Sequence, residues 1–525
     1  MGQALTVDAA ELGECLLLES AGPRYLVVPQ FAVAAPSPTS TAFEIGRAPP
    51  PIPLRVSTLA SPVYRRGSAQ ARLDAFMRGV EREIAAEAAV QVIEPRADLM
   101  GTPPLNSTRS FRAISLLGDP GESPEFTTVT AQLKFSGVHV LIYVDQLTMV
   151  NLSDADLARV GTLFDTRLYE IAVSAFGSES DLDGNGKIIV LMSPSVNGLS
   201  IDPDNPNASC SSTGFVAGYF YPNDLLVRNA NSNRGEIFYT LVPDPTAEFS
   251  NCAHEVGFVR RFIPTTFIHE LQHMISFNQH VLARGGSTED VWLNEGLSLI
   301  AEELGGRFYE VRGDPPAPQQ PYSDSTSIFL TDVLENAYDY LFASRSYSVT
   351  TFRDFGSLEE RGAAWLFLRW LGTQKGDTLL YRRLVQTKST GIDNVEDKAG
   401  ESFAALFGDF SIAAAADVPP VIARASLDPR FRFDRDFRPL FSFIQQAFSK
   451  PAPSPVNYTS SPPSPNEIPI DGTLFSRQMV PGTMSFFSFR TALIPETATG
   501  LRFTAPESAP FSPALRAQVG IVRVQ

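Results

Sequence analysis

The sequence predicts an α+β protein: a mixed sheet half followed by a helical half, with a small β-rich unit at each end. Residues 127–145 alternate apolar and polar positions, and a helical run at 154–176 and the apolar strand KIIVLM at 187–192 follow them. Beyond Ile263 the apolar residues recur mostly with helical spacing. Both ends carry short apolar segments interrupted by Gly, Pro and Ser, which is typical of strands joined by turns.

These patterns divide the chain into five predicted segments. They are an N-terminal β-rich unit at 1–69, a helical connector at 70–108, the central domain at 109–448, a Pro/Ser-rich linker at 449–469 and a C-terminal β-rich unit at 470–525. Within the central domain, helices are expected at 265–282, 292–304, 327–343, 358–372 and 376–386.

The composition narrows the classes of partner. With 42 Lys and Arg against 58 Asp and Glu, the formal charge of −16 would repel nucleic acid and anionic membrane surfaces. No run of about 18 apolar residues appears, so we expect no membrane insertion. The opening MGQALTVDAAELGE is too polar for a signal peptide, which indicates either a cytoplasmic protein or the mature form of an exported one. The sequence does not indicate the oligomeric state.

Cysteine chemistry is not the predicted function. The chain has three cysteines, Cys15, Cys210 and Cys252, and no CxxC pair of the kind that thiolate zinc sites use. In an exported protein Cys210 and Cys252 could form a disulfide, and buried free thiols are the alternative.

The segment TTFIHELQHMISF at 265–277 contains two of the five histidines. Residues four apart share one face of a helix, so His269 and His273 can direct both imidazoles at one metal ion. Glu270 lies about 100° round the helix, where it can reach a water molecule beside the metal without being a ligand. Pro264 with the following threonines predicts that the helix begins here. The alternative is that the two histidines are ordinary helix residues.

A second helical segment, WLNEGLSLIAEEL at 292–304, supplies further carboxylates. A catalytic zinc ion takes three protein ligands, and Glu295 is the predicted third. Glu302 lies seven residues later on the same face, where it can accept the second ring N–H of a zinc-bound histidine.

HELQH followed by WLNEG resembles the gluzincin metallopeptidases, the superfamily of thermolysin and the zinc aminopeptidases. The longer set GSESDLDGNGKIIVLMSP, AGYFYPNDLL, GEIFYTLVPDP, IHELQHMISF and WLNEGLSLIAEEL resembles the hyicolysin-type neutral zinc metallopeptidases, over residues from about 110 to 415. The resemblance implies a thermolysin-like peptidase domain at 109–448, zinc bound by His269, His273 and Glu295, and Glu270 as general base.

The activity that the resemblance implies is that of a secreted zinc endopeptidase, which would hydrolyse internal bonds of protein or peptide substrates with a zinc-activated water and Glu270 as base. Two alternatives stay open. One is a catalytically inactive relative that binds or scaffolds, and the other is a zinc aminopeptidase. The GxMEN exopeptidase motif of the aminopeptidases is absent, which favours internal cleavage.

The residue that would stabilise the oxyanion is less clear in the sequence. The aminopeptidases carry a tyrosine in a YEKG-like segment, whereas the matching EERGAAWLF has Glu359 in that place. Tyr347 in SRSYSVTTF is our candidate, and His254 and His280 are others.

The segment DLDGNGK resembles the first half of a calcium loop, with Asp181, Asp183 and Asn185 at alternate positions. Position twelve is Met192 instead of a bidentate glutamate, so a calcium ion would need a ligand from elsewhere, such as Glu179 or Asp165. The alternative is a glycine-rich turn that needs no metal.

Overall fold

A computed structural model of the chain describes residues 3–11, 16–18, 23–34, 39–48, 68–88, 102–117, 124–226, 231–311, 324–350, 356–417, 423–450, 467–468, 475–490 and 499–524. The mixed α+β class predicted from the sequence is confirmed, because helices and sheets both contribute to the core. No described helix is both long enough and apolar enough to cross a membrane.

The strands of the described residues form three sheets. They are β1 (Ala4–Asp8), β2 (Leu16–Leu18), β3 (Arg24–Phe31), β4 (Thr41–Ala48), β5 (Thr108–Leu116), β6 (Glu125–Ser136), β7 (Val140–Asp145), β8 (Ile188–Met192), β9 (Gly218–Phe220), β10 (Ile237–Thr240), β11 (Glu467–Ile468), β12 (Phe475–Met479), β13 (Phe487–Arg490), β14 (Thr499–Thr504) and β15 (Ala517–Arg523).

The α-helices lie mainly in the second half of the chain. They are α1 (Ala69–Ala88), α2 (Asp154–Leu163), α3 (Tyr169–Phe176), α4 (Pro194–Gly198), α5 (Cys210–Thr213), α6 (Val256–Phe277), α7 (Val291–Val311), α8 (Asp324–Phe342), α9 (Leu358–Lys375), α10 (Thr378–Val385), α11 (Gly391–Ala399), α12 (Phe403–Ala416) and α13 (Arg438–Ala447). Single π-helical turns extend α2 at Phe164–Leu168 and α6 at Asn278–Leu282.

Strands from the two ends of the chain share two sheets. One has the order β1-β15-β3-β13-β11 and the other the order β12-β4-β14-β2, so each contains strands from both predicted β-rich units. The two sheets enclose a common apolar core that includes Phe31, Phe43, Phe487 and Phe503. The two end segments therefore form one structure, although the predicted domain boundaries themselves stay a prediction.

The central sheet has the order β5-β6-β7-β8-β10-β9. Strands β7, β8 and β10 run parallel, and β9 pairs antiparallel with β10 at one edge. All five residues of β8 are buried, as expected of a strand that is covered on both faces. Helix α6 follows this sheet and packs against β9 and β10, which places the HELQH segment beside the sheet edge.

Helix α6 begins earlier than the sequence predicts. It starts at Val256, and Pro264 lies inside it instead of at its beginning. Proline inside a helix leaves the carbonyl of the residue four positions earlier without its N–H donor. That residue is Arg260, which is exposed, so water can satisfy its carbonyl.

A disulfide joins Cys210 of α5 to Cys252, just before α6, across a sequence separation of 42 residues. The structure thus favours the disulfide over the alternative of two free thiols. Cys15 lies outside the described residues.

Candidate metal centre

The two histidines of the HELQH segment converge in the structure. Their Nε2 atoms are 3.2 Å apart, and the rings meet edge to face with centroids 4.9 Å apart. His273 is 2% exposed, and the His269 side chain is 13% exposed. The helix therefore presents two ring nitrogens at one point, with His269 nearer to solvent.

Helix α7 brings a carboxylate to the same point. Oε2 of Glu295 is 3.8 Å from Nε2 of His269, and Oε1 is 3.6 Å from Nε2 of His273. One ligand atom from each of the three residues lies within 4.8 Å of the others. Glu295 is fully buried, and its Oε1 has no hydrogen-bond partner. Two imidazole nitrogens and a buried carboxylate with a free oxygen fit the donor set and spacing that a zinc ion needs.

Glu302 lies seven residues, or about two turns, after Glu295 on α7 and contacts His269 from the other side of its ring. Its Oε1 is 2.7 Å from Nδ1 of His269. Burial opposes protonation of His269, but the hydrogen bond to Glu302 and the neighbouring carboxylates raise its pKa to about 9. A carboxylate at Nδ1 fixes the ring so that Nε2 faces the cluster.

Glu270 follows His269 on α6 and is 4% exposed. Burial raises the pKa of its carboxyl to about 8, and His269 and Arg78 act in the opposite direction. A buried carboxyl whose pKa lies near neutrality is suited to take up and release a proton.

A buried arginine holds the third carboxylate. Arg361 of α9 donates from Nη1 to Oε2 of Glu295 and from Nη2 to Oδ2 of Asp74, both at 2.6 Å. Burial opposes ionisation of Glu295, yet Arg361 keeps the pKa of this carboxyl below its usual value. Oε2 is thus occupied by the arginine, and Oε1 is the oxygen that remains free.

Helix α1 covers the centre with charged side chains. Nη1 of Arg78 is 2.9 Å from Nδ1 of His273 and 3.0 Å from Oε1 of Glu81. A guanidinium cannot accept a hydrogen bond, so Nδ1 of His273 is the acceptor in this contact, and the neutral ring carries on Nε2 the proton that a zinc ion would have to replace. Burial and Arg78 together hold the pKa of His273 well below its usual value, which keeps the ring neutral.

The same helix contacts the edge of the central sheet. The Gln70 amide accepts from the N–H of Ala217 at 2.8 Å and donates to the carbonyl of Gly218 at 3.1 Å. These backbone groups belong to the outer side of edge strand β9, which α1 therefore caps.

The contribution of Asp74, Arg78 and Arg361 was not predicted from the sequence. The first two lie in the segment interpreted as a helical connector, and the third lies in EERGAAWLF, two residues after Glu359. One signal was present, since Asp74, Arg78 and Glu81 share one face of α1 at spacings of four and three. A charged stripe on a helix is normally solvated, so this signal alone would not have indicated burial.

Among the described residues, no hydrogen bond joins the predicted oxyanion candidate Tyr347 to the histidines. Tyr347 is half-buried, and burial together with a hydrogen bond to Glu359 raises the pKa of its hydroxyl. Glu359 is the position where the aminopeptidases carry their tyrosine, and Arg361 two residues later touches Glu295. The role of Tyr347 stays a prediction.

The other two histidine candidates are core residues. His254 packs against Phe215 and Phe258, and burial lowers its pKa. His280 lies in the π-turn after α6, where burial lowers its pKa to about 4 and its Nε2 is 3.6 Å from Glu289. No described contact joins either ring to the cluster.

The residues of the calcium-like loop also come together. Asp181 and Asp183 lie with Glu236, one carboxylate oxygen of each within 4.8 Å of the others. Asn185 donates from Nδ2 to Oδ2 of Asp183 at 2.6 Å. Neither ligand suggested from the sequence belongs to this group: Asp165 accepts from the N–H groups of residues 138 and 139, and Glu179 accepts from a tyrosine hydroxyl.

Comparison with known proteins gives one similarity that bears on this geometry. No protein-family model matches the chain. Over 202 residues the chain is 27% identical to the neutral metalloprotease ShpI of Staphylococcus hyicus, a match that covers 38% of this chain and 40% of that protein. The match thus spans about two-fifths of its relative. It supports a distant relation to a metalloprotease, which the cluster of His269, His273 and Glu295 accompanies.

Proposed function

We propose that the protein is a secreted zinc metalloendopeptidase with a gluzincin-type, thermolysin-like catalytic domain. The observation that carries the proposal is the convergence of two histidine Nε2 atoms and a buried carboxylate beside Glu270. The partial similarity to a neutral metalloprotease points to the same chemistry.

In this proposal His269, His273 and Glu295 hold the zinc ion. When bound, zinc would polarise a peptide carbonyl and make a water molecule more acidic. Glu302 orients His269 through Nδ1, and Arg361 orients Glu295 through Oε2, so that Nε2 and Oε1 face the ion.

Glu270 is the proposed general base. It would accept a proton from the attacking water and deliver it to the leaving amine, because it follows the ligand His269 on α6 and its carboxyl is buried. Tyr347 is the proposed donor to the oxyanion, supported by its place beside Glu359 at the start of α9.

Export is part of the proposal for two reasons. The disulfide between Cys210 and Cys252 is of the kind that persists in oxidising compartments. The formal charge of −16 would also keep the protease soluble outside the cell, where it would meet protein or peptide substrates.

The test combines metal analysis with digestion of an unfolded protein. The purified chain should contain one zinc per molecule and cleave reduced casein, 1,10-phenanthroline should abolish cleavage, and added zinc should restore it. Sequencing of the product termini distinguishes internal cleavage from N-terminal trimming. A zinc-loaded, folded protein that leaves casein intact would favour a binding or scaffold protein, and release of single N-terminal residues would favour an aminopeptidase.

A further inference from the structure

The loop at 181–187, between α3 and β8, contributes to a carboxylate cluster that the peptidase chemistry does not use. Glu236 directly precedes β10, and the loop directly precedes β8. Since β8 and β10 are parallel neighbours, their N-terminal ends lie side by side, and the N–H of Ile189 donates to the carbonyl of Glu236 at 2.7 Å. The topology thus brings Glu236 against the loop from a position 49 or more residues away in sequence.

Glu236 is hydrogen-bonded to the residues around Asp181. Its Oε1 accepts from the hydroxyl of Ser180 at 2.6 Å and from the N–H of Leu182 at 2.9 Å, the residues on either side of Asp181. Its Oε2 has no hydrogen-bond partner, although Glu236 is only 2% exposed. A buried carboxylate oxygen without a partner is costly, and a bound cation would supply one.

The cluster brings three carboxylates close together. Among the described residues, Asp181, Asp183 and Glu236 make no salt bridge, and Asp183 and Glu236 are 3% and 2% exposed. Two neighbouring cations are engaged elsewhere: Lys187 donates to backbone carbonyls of Gly137 and Val138, and Arg109 donates to the carbonyl of Asn233. Burial raises the pKa of Glu236 to about 7 and that of Asp183 to about 6, although the charge of Arg109 acts in the opposite direction on Asp183.

We propose that Asp181, Asp183, Asn185 and Glu236 form a calcium site in which Glu236 supplies the carboxylate that the loop lacks at its twelfth position. Three of the donors are carboxylates, whose formal charges suit a hard divalent cation, and the fourth is the amide oxygen of Asn185, which also accepts from the N–H of Lys187. Gly186 at the sixth position has a φ of 63°, the left-handed turn that lets such a loop fold back around an ion. Calcium fits better than magnesium, because a loop ligand set of mixed carboxylates and an amide lacks the strict octahedral geometry that magnesium demands.

Calcium bound here would tie the start of β8 to the start of β10, at the end of the central sheet that supports α6. The proposal does not depend on peptidase activity, since it concerns residues outside the zinc cluster and its test measures binding and stability alone.

The experiment is calcium titration by calorimetry together with thermal unfolding of the full chain. The wild type should bind one calcium with a Kd on the order of 10⁻⁴ M, and saturating calcium should raise Tm by about 3–6 °C. Glu236→Gln keeps an acceptor for Ser180 and Leu182 but removes the charge, so it should weaken calcium binding at least about tenfold.

Two further variants keep the result interpretable. Asp181→Asn changes an exposed residue, so it should fold normally and lose affinity in the same way. Glu170→Gln removes one exposed carboxylate on α3 outside the cluster and should bind calcium as the wild type does. The proposal is overturned if the wild type shows neither binding heat nor a Tm shift at about 5 mM calcium, or if Glu236→Gln and Asp181→Asn bind as tightly as the wild type.

Discussion

Arg361 is the residue whose role is most specific in the candidate metal centre. Two different nitrogens of one guanidinium bridge Glu295 and Asp74, and all three side chains are buried. The arginine neutralises one oxygen of Glu295 and directs the other towards the histidines. A planar guanidinium makes such a bridge readily, whereas a lysine ammonium is a single point charge on a flexible chain.

Arg361→Lys should therefore weaken zinc binding by about 10- to 100-fold, because Glu295 would lose its fixed orientation while a positive charge remains nearby. Competition with a chromogenic zinc chelator measures the affinity directly and does not depend on turnover. Arg260→Lys on α6 is the matched control, since that arginine is 48% exposed and belongs to no ligand contact. Equal zinc affinities for Arg361→Lys and wild type would show that Arg361 does not orient Glu295 for zinc binding.

The residues of the candidate site were predictable to different degrees. Helical spacing and a short motif fix the relative positions of four residues locally, so these could be predicted: His269, Glu270, His273 and Glu295. Glu236 and Arg361 could not be predicted from the sequence. Strand pairing between β8 and β10 brings Glu236 to its partners, and helix packing brings Arg361 to Glu295, and both contacts join distant parts of the chain.

At the scale of elements, α5 and the segment before α6 are connected by the disulfide between Cys210 and Cys252. It closes a segment of 42 residues that includes β9, β10 and the sheet edge beside α6. A crosslink of this loop length restricts the unfolded chain and thereby favours the folded state.

Replacing both cysteines by serine should lower the free energy of unfolding by about 2–4 kcal/mol. Urea unfolding followed by tryptophan fluorescence measures this difference. Cys15→Ser is the control, because it removes a thiol and leaves the disulfide intact. If the double variant unfolds at the wild-type urea concentration, the crosslink has no stabilising role and the argument for an oxidising compartment weakens.

Helix positions were predicted well where apolar periodicity continued to the end of the helix, as at residues 358–372 within α9. Helix α6 was the exception, because proline was interpreted as a start signal. The residues before Pro264 include Val259, which is fully buried, so packing extends the helix through a position that local preference would interrupt.

At the scale of the whole molecule, the two ends of the chain depend on each other. Strand β15 lies between β1 and β3 and pairs with both, and α12 of the helical half packs on β15 and β3. Sequence patterns identified strands at both ends but gave no indication that they pair with one another, because strand register over some 500 residues is not encoded locally.

Truncation of the chain after Pro510 should therefore destabilise the whole fold. Without β15, β1 has no partner and the apolar residues of β3 lose cover, so we expect a Tm lower by several degrees and aggregation on size-exclusion chromatography. Removing Gln525 alone should have no effect. An unchanged melting curve for the truncated chain would mean that the pairing of β15 with β1 and β3 does not stabilise the fold.

The central claim is that Glu270 acts as the base beside a zinc ion held by His269, His273 and Glu295. Glu270→Gln preserves the size of the side chain and removes its basicity, so it tests this role without disturbing the ligands. Glu255→Gln, at the exposed N-cap of the same helix, is the matched control and should retain full activity.

The decisive measurement is zinc content and casein hydrolysis on the same preparation of each variant. The account predicts that Glu270→Gln holds one zinc per chain, as the wild type does, and cleaves casein at least about 10²- to 10⁴-fold more slowly. A loss of zinc together with activity would indicate a damaged site instead of a missing base. A zinc-loaded Glu270→Gln protein that cleaves casein at the wild-type rate would contradict the account.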